Sequence, residues 1–103
     1  MTKIYLIEAQ DLLNNFISYK IGYSKHPEKR IKQLQTGTDK KLSIKFLCET
    51  KYPSKIETML KKTYKEKNIL GEHFNLDEND INNFLYYCEL YNKNLNIIND
   101  NEI

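Results

Sequence analysis

Only two prolines occur in the 103-residue chain, and each opens a segment whose apolar residues recur at helical spacing. These are "PEKRIKQLQ" from Pro27 and "PSKIETMLKKTYKEKNI" from Pro53. Proline's fixed φ and missing N–H suit the first turn of a helix and nothing deeper, so both helices are pinned at their starts. The first presents Ile31 and Leu34 as its buried edge and stops near Gly37, and the second carries Ile56, Met59, Leu60, Thr63 and Tyr64 in one stripe. The runs around them have strand character. "KIYLIEA" (3–9) is apolar on both faces, as a central strand should be, while "ISYKIGY" (17–23) sets Tyr19 and Ile21 on one face and Lys20 on the other. The polar link "QDLLNN" makes an antiparallel hairpin the simplest connection, and "LSIKFLCET" (42–50) reads as a third strand.

Past the second helix, "LGEHFNL" breaks at Gly71 and turns extended. "DENDINNFLYYCELYNK" then starts with an aspartate cap and lines up Ile81, Phe84, Leu85, Cys88 and Tyr91, predicting a third helix over 78–93. The Asn-rich stretch 94–103 is expected to fray, with Ile97 and Ile98 available to dock. The order ββαβαα predicts an α+β fold in one domain over residues 1–93. Its sheet is expected to be small, three-stranded, antiparallel or mixed, and flanked by helices.

The N-terminus has no cleavable signal pattern, and no apolar run approaches the ~20 residues that span a bilayer. Cys48 and Cys88 stand 40 positions apart with no His or Cys at metal spacing, which predicts buried free thiols in a reducing compartment. The expected setting is intracellular, cytoplasmic or nuclear, not secreted and not on a membrane. Charge is unevenly placed: residues 1–70 hold 15 Lys and Arg against 7 Asp and Glu, and residues 71–103 hold 1 against 7. A basic working surface facing a polyanion, with an acidic C-terminal element turned away, fits that asymmetry.

Several polar residues sit on ordered elements. Lys20 rises from the sheet face opposite Tyr19, and Tyr5 on the neighbouring strand can share it; a phenol and an amine so placed could make a proton-transfer pair. The plainer reading is a structural tyrosine and a snorkelling lysine. Arg30 is the only arginine in the chain. It lies one turn before Leu34, at the margin of the buried edge, so it points back toward the sheet, where its planar fork suits two phosphate oxygens at once. Glu57 flanks the stripe of the second helix, and one carboxylate plus substrate phosphate oxygens is a usual setting for Mg²⁺. His26 precedes the helix of Arg30 and His73 follows that of Glu57, so either could position a phosphate or relay a proton. Lys25, Lys29, Lys32, Lys40 and Lys41 gather around the first helix, where they could track a phosphate backbone without reading sequence.

Taken together, "KIY", "YKIG", "HPEKRIKQL", "KIETML" and "GEHFNL", in that order over residues 3–76, resemble the GIY-YIG nuclease superfamily. They are most similar to its phage and large-DNA-virus branch, whose second motif reads K-I-G. The resemblance implies phosphodiester cleavage in DNA with Mg²⁺ or Mn²⁺. Tyr5 would be the first motif's tyrosine, Arg30 the helix arginine, Glu57 the metal-binding carboxylate and Asn75 the closing asparagine. Lys20 stands where other members have a tyrosine, leaving Tyr5, Tyr19 and Lys20 as alternatives for the general base. Lys3 replaces the first motif's glycine, and Lys61 stands where branch members have histidine. Two further functions fit the same residues: a nucleic-acid-binding module without turnover, and a protein-interaction adaptor using Phe84, Tyr87 and Tyr91. DNA is the expected partner ahead of RNA, and a homodimer is compatible with the sequence.

Overall fold

The computed structural model describes residues 1–101. Strands β1 (Lys3–Gln10) and β2 (Ile17–Ser24) lead to helix α1 (Pro27–Gln35), strand β3 (Lys41–Glu49) and helix α2 (Pro53–Thr63). A 3₁₀ turn at Lys65–Lys67, the short strands β4 (Asn68–Leu70) and β5 (His73–Phe74), and helix α3 (Glu78–Asn101) complete the chain. The fold is α+β as the pattern predicts, but the sheet has five strands, in the order β3-β1-β2-β5-β4, and every pairing is antiparallel. The 1–2 connection closes because Asp11 Oδ1 accepts from the Leu13 N–H at 2.9 Å and Asn15 takes φ +60°, a conformation that asparagine tolerates.

Both proline-started helices begin where the sequence places them, at Pro27 and Pro53. The second ends earlier than its pattern suggests. Tyr64 leaves helical geometry, and the chain turns into the β4–β5 hairpin, held by Asn68 Nδ2 donating to the carbonyls of Gly71 (2.8 Å) and His73 (3.0 Å). Gly71 supplies the positive φ (+57°) that this turn requires. Helix α3 instead runs past the predicted end at residue 93. Its start is the expected cap in reciprocal form: Asp77 Oδ1 accepts from Asp80 N at 2.8 Å and Asp80 Oδ2 accepts from Asp77 N at 3.0 Å. Beyond Tyr91, tertiary bonds outweigh the poor helix propensity of asparagine. Thr50 donates to Asn92 Oδ1 at 2.7 Å, Tyr52 donates to Asn96 Oδ1 at 3.0 Å, and Leu95 packs on the core. The predicted tail residues 102–103 lie outside the described residues.

Strand alternation gives the sheet two different faces. On one, Ile4, Leu6, Tyr19, Ile21 and Phe74 meet Ile56, Leu60 and Tyr64 of α2 and Phe84 and Cys88 of α3, all of them buried. The thiols of Cys48 and Cys88 neighbour each other there, between β3 and α3, so the cysteines are free but not isolated as their sequence separation suggests. The other face carries Tyr5, Ile7, Ala9, Lys20 and Gly22, and α1 lies over it with Pro27 buried and Ile31 and Leu34 half-buried. Among the described residues, no helix is long and apolar enough to cross a membrane. Phe84 is fully buried and stacks on Phe46 with ring centroids 6.4 Å apart, and Tyr87 and Tyr91 pack on the same core. The aromatic surface expected for an adaptor is therefore largely consumed by folding. Phe84→Ala should cost about 3–5 kcal/mol, read as a lowered urea midpoint with an unchanged slope.

Candidate functional site

The α1-facing side of the sheet holds its polar residues by register. Tyr5 on β1 is the cross-strand partner of Gly22 on β2, and the phenol lies flat across that glycine. A Cβ on Gly22 would stand 2.5 Å from Tyr5 Cζ and 2.8 Å from Cε1, so only glycine leaves room for the ring. Tyr5 is 3% exposed. Burial raises its pKa above the ordinary 10.0, Glu72 and Glu57 add to that, and the Arg30 guanidinium opposes it as donor and as charge without prevailing. At neutral pH the phenol is protonated. Arg30 reaches it from α1, from a position that is otherwise solvent-exposed, so the arginine does turn back to the sheet as expected.

A chain of alternating charge runs beside this pair. Lys20 Nζ is 3.1 Å from Glu72 Oε2, Glu72 Oε1 is 3.5 Å from Lys61 Nζ, and Lys61 Nζ is 3.5 Å from Glu57 Oε1. The chain links β2, the β4–β5 turn and α2. Its half-buried setting lets each ion hold the next in place, although each pair alone is worth no more than about 1 kcal/mol. For Glu72, burial acts to raise the pKa, but Lys20 and then Lys61 outweigh it and leave the carboxylate below its ordinary value of 4.5. Glu72 is the functional candidate that sequence reasoning misses. Its signal would have been the register of β5 on β2, and a two-residue strand shows no periodicity from which to read one.

His73 joins the same region as the ladder partner of Lys20. Burial, with the charges of Lys40 and Lys20, holds its imidazole below 6.5, so it is neutral at pH 7. Other predicted residues stay apart. Tyr19 is on the opposite face, in the core, where burial and then the neighbouring Glu8 raise its pKa; the pleat removes it from the alternatives for a base beside Tyr5. His26 is exposed at the start of α1, and its ring makes no hydrogen bond or ion pair among the described residues. Asn75 follows β5 in the direction leading away from Gly22, about 10 Å along from Glu72, and lines a separate depression with Lys67 and Asp77. Lys25, Lys29, Lys32 and Lys41 are exposed and Lys40 is half-buried, and among the described residues none of the five is ion-paired.

No group of three or more His, Cys, Asp and Glu side chains converges as a preformed metal cage among the described residues. Glu57, with Glu72 across Lys61, is the carboxylate that could hold a divalent cation whose other ligands come from water and substrate, provided Lys61 swings aside.

The site thus sits on a small antiparallel α+β scaffold, with a tyrosine of β1 met by an arginine of α1 and a glutamate of α2 nearby. The chain belongs to the T5orf172 domain family, whose model matches residues 2–88, the whole of the sheet and most of the helical layer. No curated protein and no solved structure matches it.

Two outcomes follow from the geometry. Gly22→Ala should displace the Tyr5 ring and lower the melting temperature, and the companion Tyr5→Leu should recover much of the loss by removing the atoms the new methyl meets. Because the folded-state pKa of Glu72 is depressed, its contribution is complete above 4.5 and fades as pH falls through the lower folded value. The stability gap between the parent protein and Glu72→Gln, at most about 1 kcal/mol for so exposed a group, should therefore close on acidification. Urea midpoints across the acid range would show it.

Proposed function

We propose that the protein is a metal-dependent endonuclease of the GIY-YIG type that hydrolyses phosphodiester bonds in DNA. The observation that carries this reading is that Arg30 from α1 and Glu57 from α2, on helices at opposite faces of the sheet, both lie near enough to Tyr5 of β1 to act on its phenol, beside an unpaired basic rim. Arg30 is placed to clamp two non-bridging oxygens of one phosphate and to neutralise the charge that grows on them. Glu57 would hold Mg²⁺ or Mn²⁺, which supplies Lewis-acid activation of the phosphate and of the attacking water. Tyr5, protonated at neutral pH, serves as a neutral donor that orients water. Lys20 is ion-paired with Glu72 at 3.1 Å and serves as a phosphate-facing cation. Of the alternatives for the general base, Tyr5 is held protonated by burial and Lys20 is committed to Glu72, so the proton lost by the attacking water would pass to bulk solvent.

A second reading is a module that binds nucleic acid without turnover. The observation in its favour is Lys61, whose ammonium stands between the Glu57 and Glu72 carboxylates, where a divalent cation would otherwise be held.

Incubating the protein with single-stranded, duplex and branched DNA and with RNA, with Mg²⁺, Mn²⁺ or EDTA, separates the two. Cleavage should need metal, vanish in Glu57→Ala and fall by about 10²-fold or more in Arg30→Ala. Cutting that survives EDTA or Glu57→Ala overturns the mechanism. Binding that weakens with salt, without any cutting, selects the second reading.

A further inference from the structure

Beside the Tyr5–Arg30 pair, a cavity of about 400 Å³ opens between the end of α1, the start of β3 and the edge where β5 joins β2. Ala9, Leu34 and Leu42 make its apolar walls, while Lys20, Lys40 and His73 bring two cations and a neutral imidazole. Lys20 belongs both to this lining and to the charge chain of the candidate site, and Leu34 follows Arg30 by one turn of α1, so the cavity adjoins that site. The floor has unmet polarity. Among the described residues, the buried side-chain polar atoms with no hydrogen-bond partner are Ser18 Oγ and His73 Nδ1. Of these two, His73 lines the cavity, while Ser18 lies beneath the same face as the ladder partner of Ala9. Unpaired buried polar atoms of this kind are uncommon in native proteins and point to a polar guest or water.

Apolar walls, a few hydrogen-bonding groups and cations at the rim describe a receptor for a flat polar heterocycle on a phosphate backbone. The volume suits one nucleotide and leaves no room for a base pair in its stack. We propose that this cavity seats a single unpaired nucleotide of the DNA strand next to the phosphate held at Arg30, with Lys20 and Lys40 on its flanking phosphates and its base between Leu34 and Leu42. The inference rests on the nucleic-acid reading above and adds a substrate class to it. A base must leave the duplex stack to enter, and that costs least where it is already unpaired, as at a bulge, branch or frayed end.

The test is fluorescence anisotropy in EDTA with labelled duplexes of one sequence, one intact and one carrying a single bulged nucleotide, on the full chain and on two variants that fill the cavity. Gly37→Leu is the safer filling. Gly37 lines the cavity and is not among the positive-φ positions, and an added Cβ would meet nothing closer than 3.7 Å, so the fold should survive. Leu34→Trp fills it from the helix side. The parent protein should bind the bulged duplex about fivefold or more tightly than the intact one, the low end of what one seated base contributes. Both fillings should abolish the preference and leave affinity for the intact duplex unchanged. Equal affinity for the two duplexes, or a preference that survives Gly37→Leu, overturns the inference while leaving the nucleic-acid reading standing. Equal loss on both duplexes in Gly37→Leu also overturns it, since the cavity would then be part of a general phosphate track. No salt-sensitive binding to either duplex removes the nucleic-acid reading itself, and this inference with it.

Discussion

The contact between Tyr5 and Gly22 organises the functional side of the molecule. A phenol laid flat on a strand can do so only where its cross-strand neighbour has no side chain, and β2 provides that gap opposite the centre of β1. With the ring so placed, its hydroxyl is presented to α1 instead of standing up into the helix, and Arg30 meets it there. Helix α1 covers this face, with its first residue, Pro27, buried. One missing side chain on β2 thus makes room for the phenol that Arg30 meets.

Much of this was legible in the chain, and what was not has physical causes. The long elements announce themselves because prolines mark two helix starts and strand alternation spans eight or nine residues in each main strand. The strands β4 and β5, of three and two residues, are too short to show any period, so the sheet reads as three-stranded until tertiary pairing supplies the rest. The extension of α3 was hidden for a different reason: asparagines at 92 and 96 disfavour a helix by propensity but receive hydroxyl donors from Thr50 and Tyr52, groups more than 40 residues away. In the site, the turn of Arg30 toward Tyr5 was legible from face and spacing, whereas Glu57 comes from a helix on the opposite face, Glu72 depends on β5 register and Asn75 is carried off by that same register. Family resemblance alone would have included Asn75 and omitted Glu72.

The ion chain from Lys20 to Glu57 keeps the acidic groups of the site in place, with no preformed metal cage among the described residues. Two carboxylates approaching one another unscreened would repel, and Lys61 between them removes that repulsion. The arrangement is self-consistent at rest, and any added cation has to compete with a tethered one. The chain's three contacts, of 3.1 to 3.5 Å at half-exposed positions, are soft enough for such an exchange.

Helices α1 and α3 are also of opposite electrical character. Helix α1, with Lys29, Arg30 and Lys32, covers one side of the sheet, and α3, with Glu78, Asp80 and Glu89, covers the other. A net charge of +2 conceals this, because what a distant polyanion feels is as much the separation of charge across the sheet as the sum. A polyanion near such a distribution would exert a torque as well as an attraction, favouring approach from the side of α1. The acidic helix acts as a counterweight: it makes approach from the wrong side unfavourable and shortens the orientational search without touching the ligand.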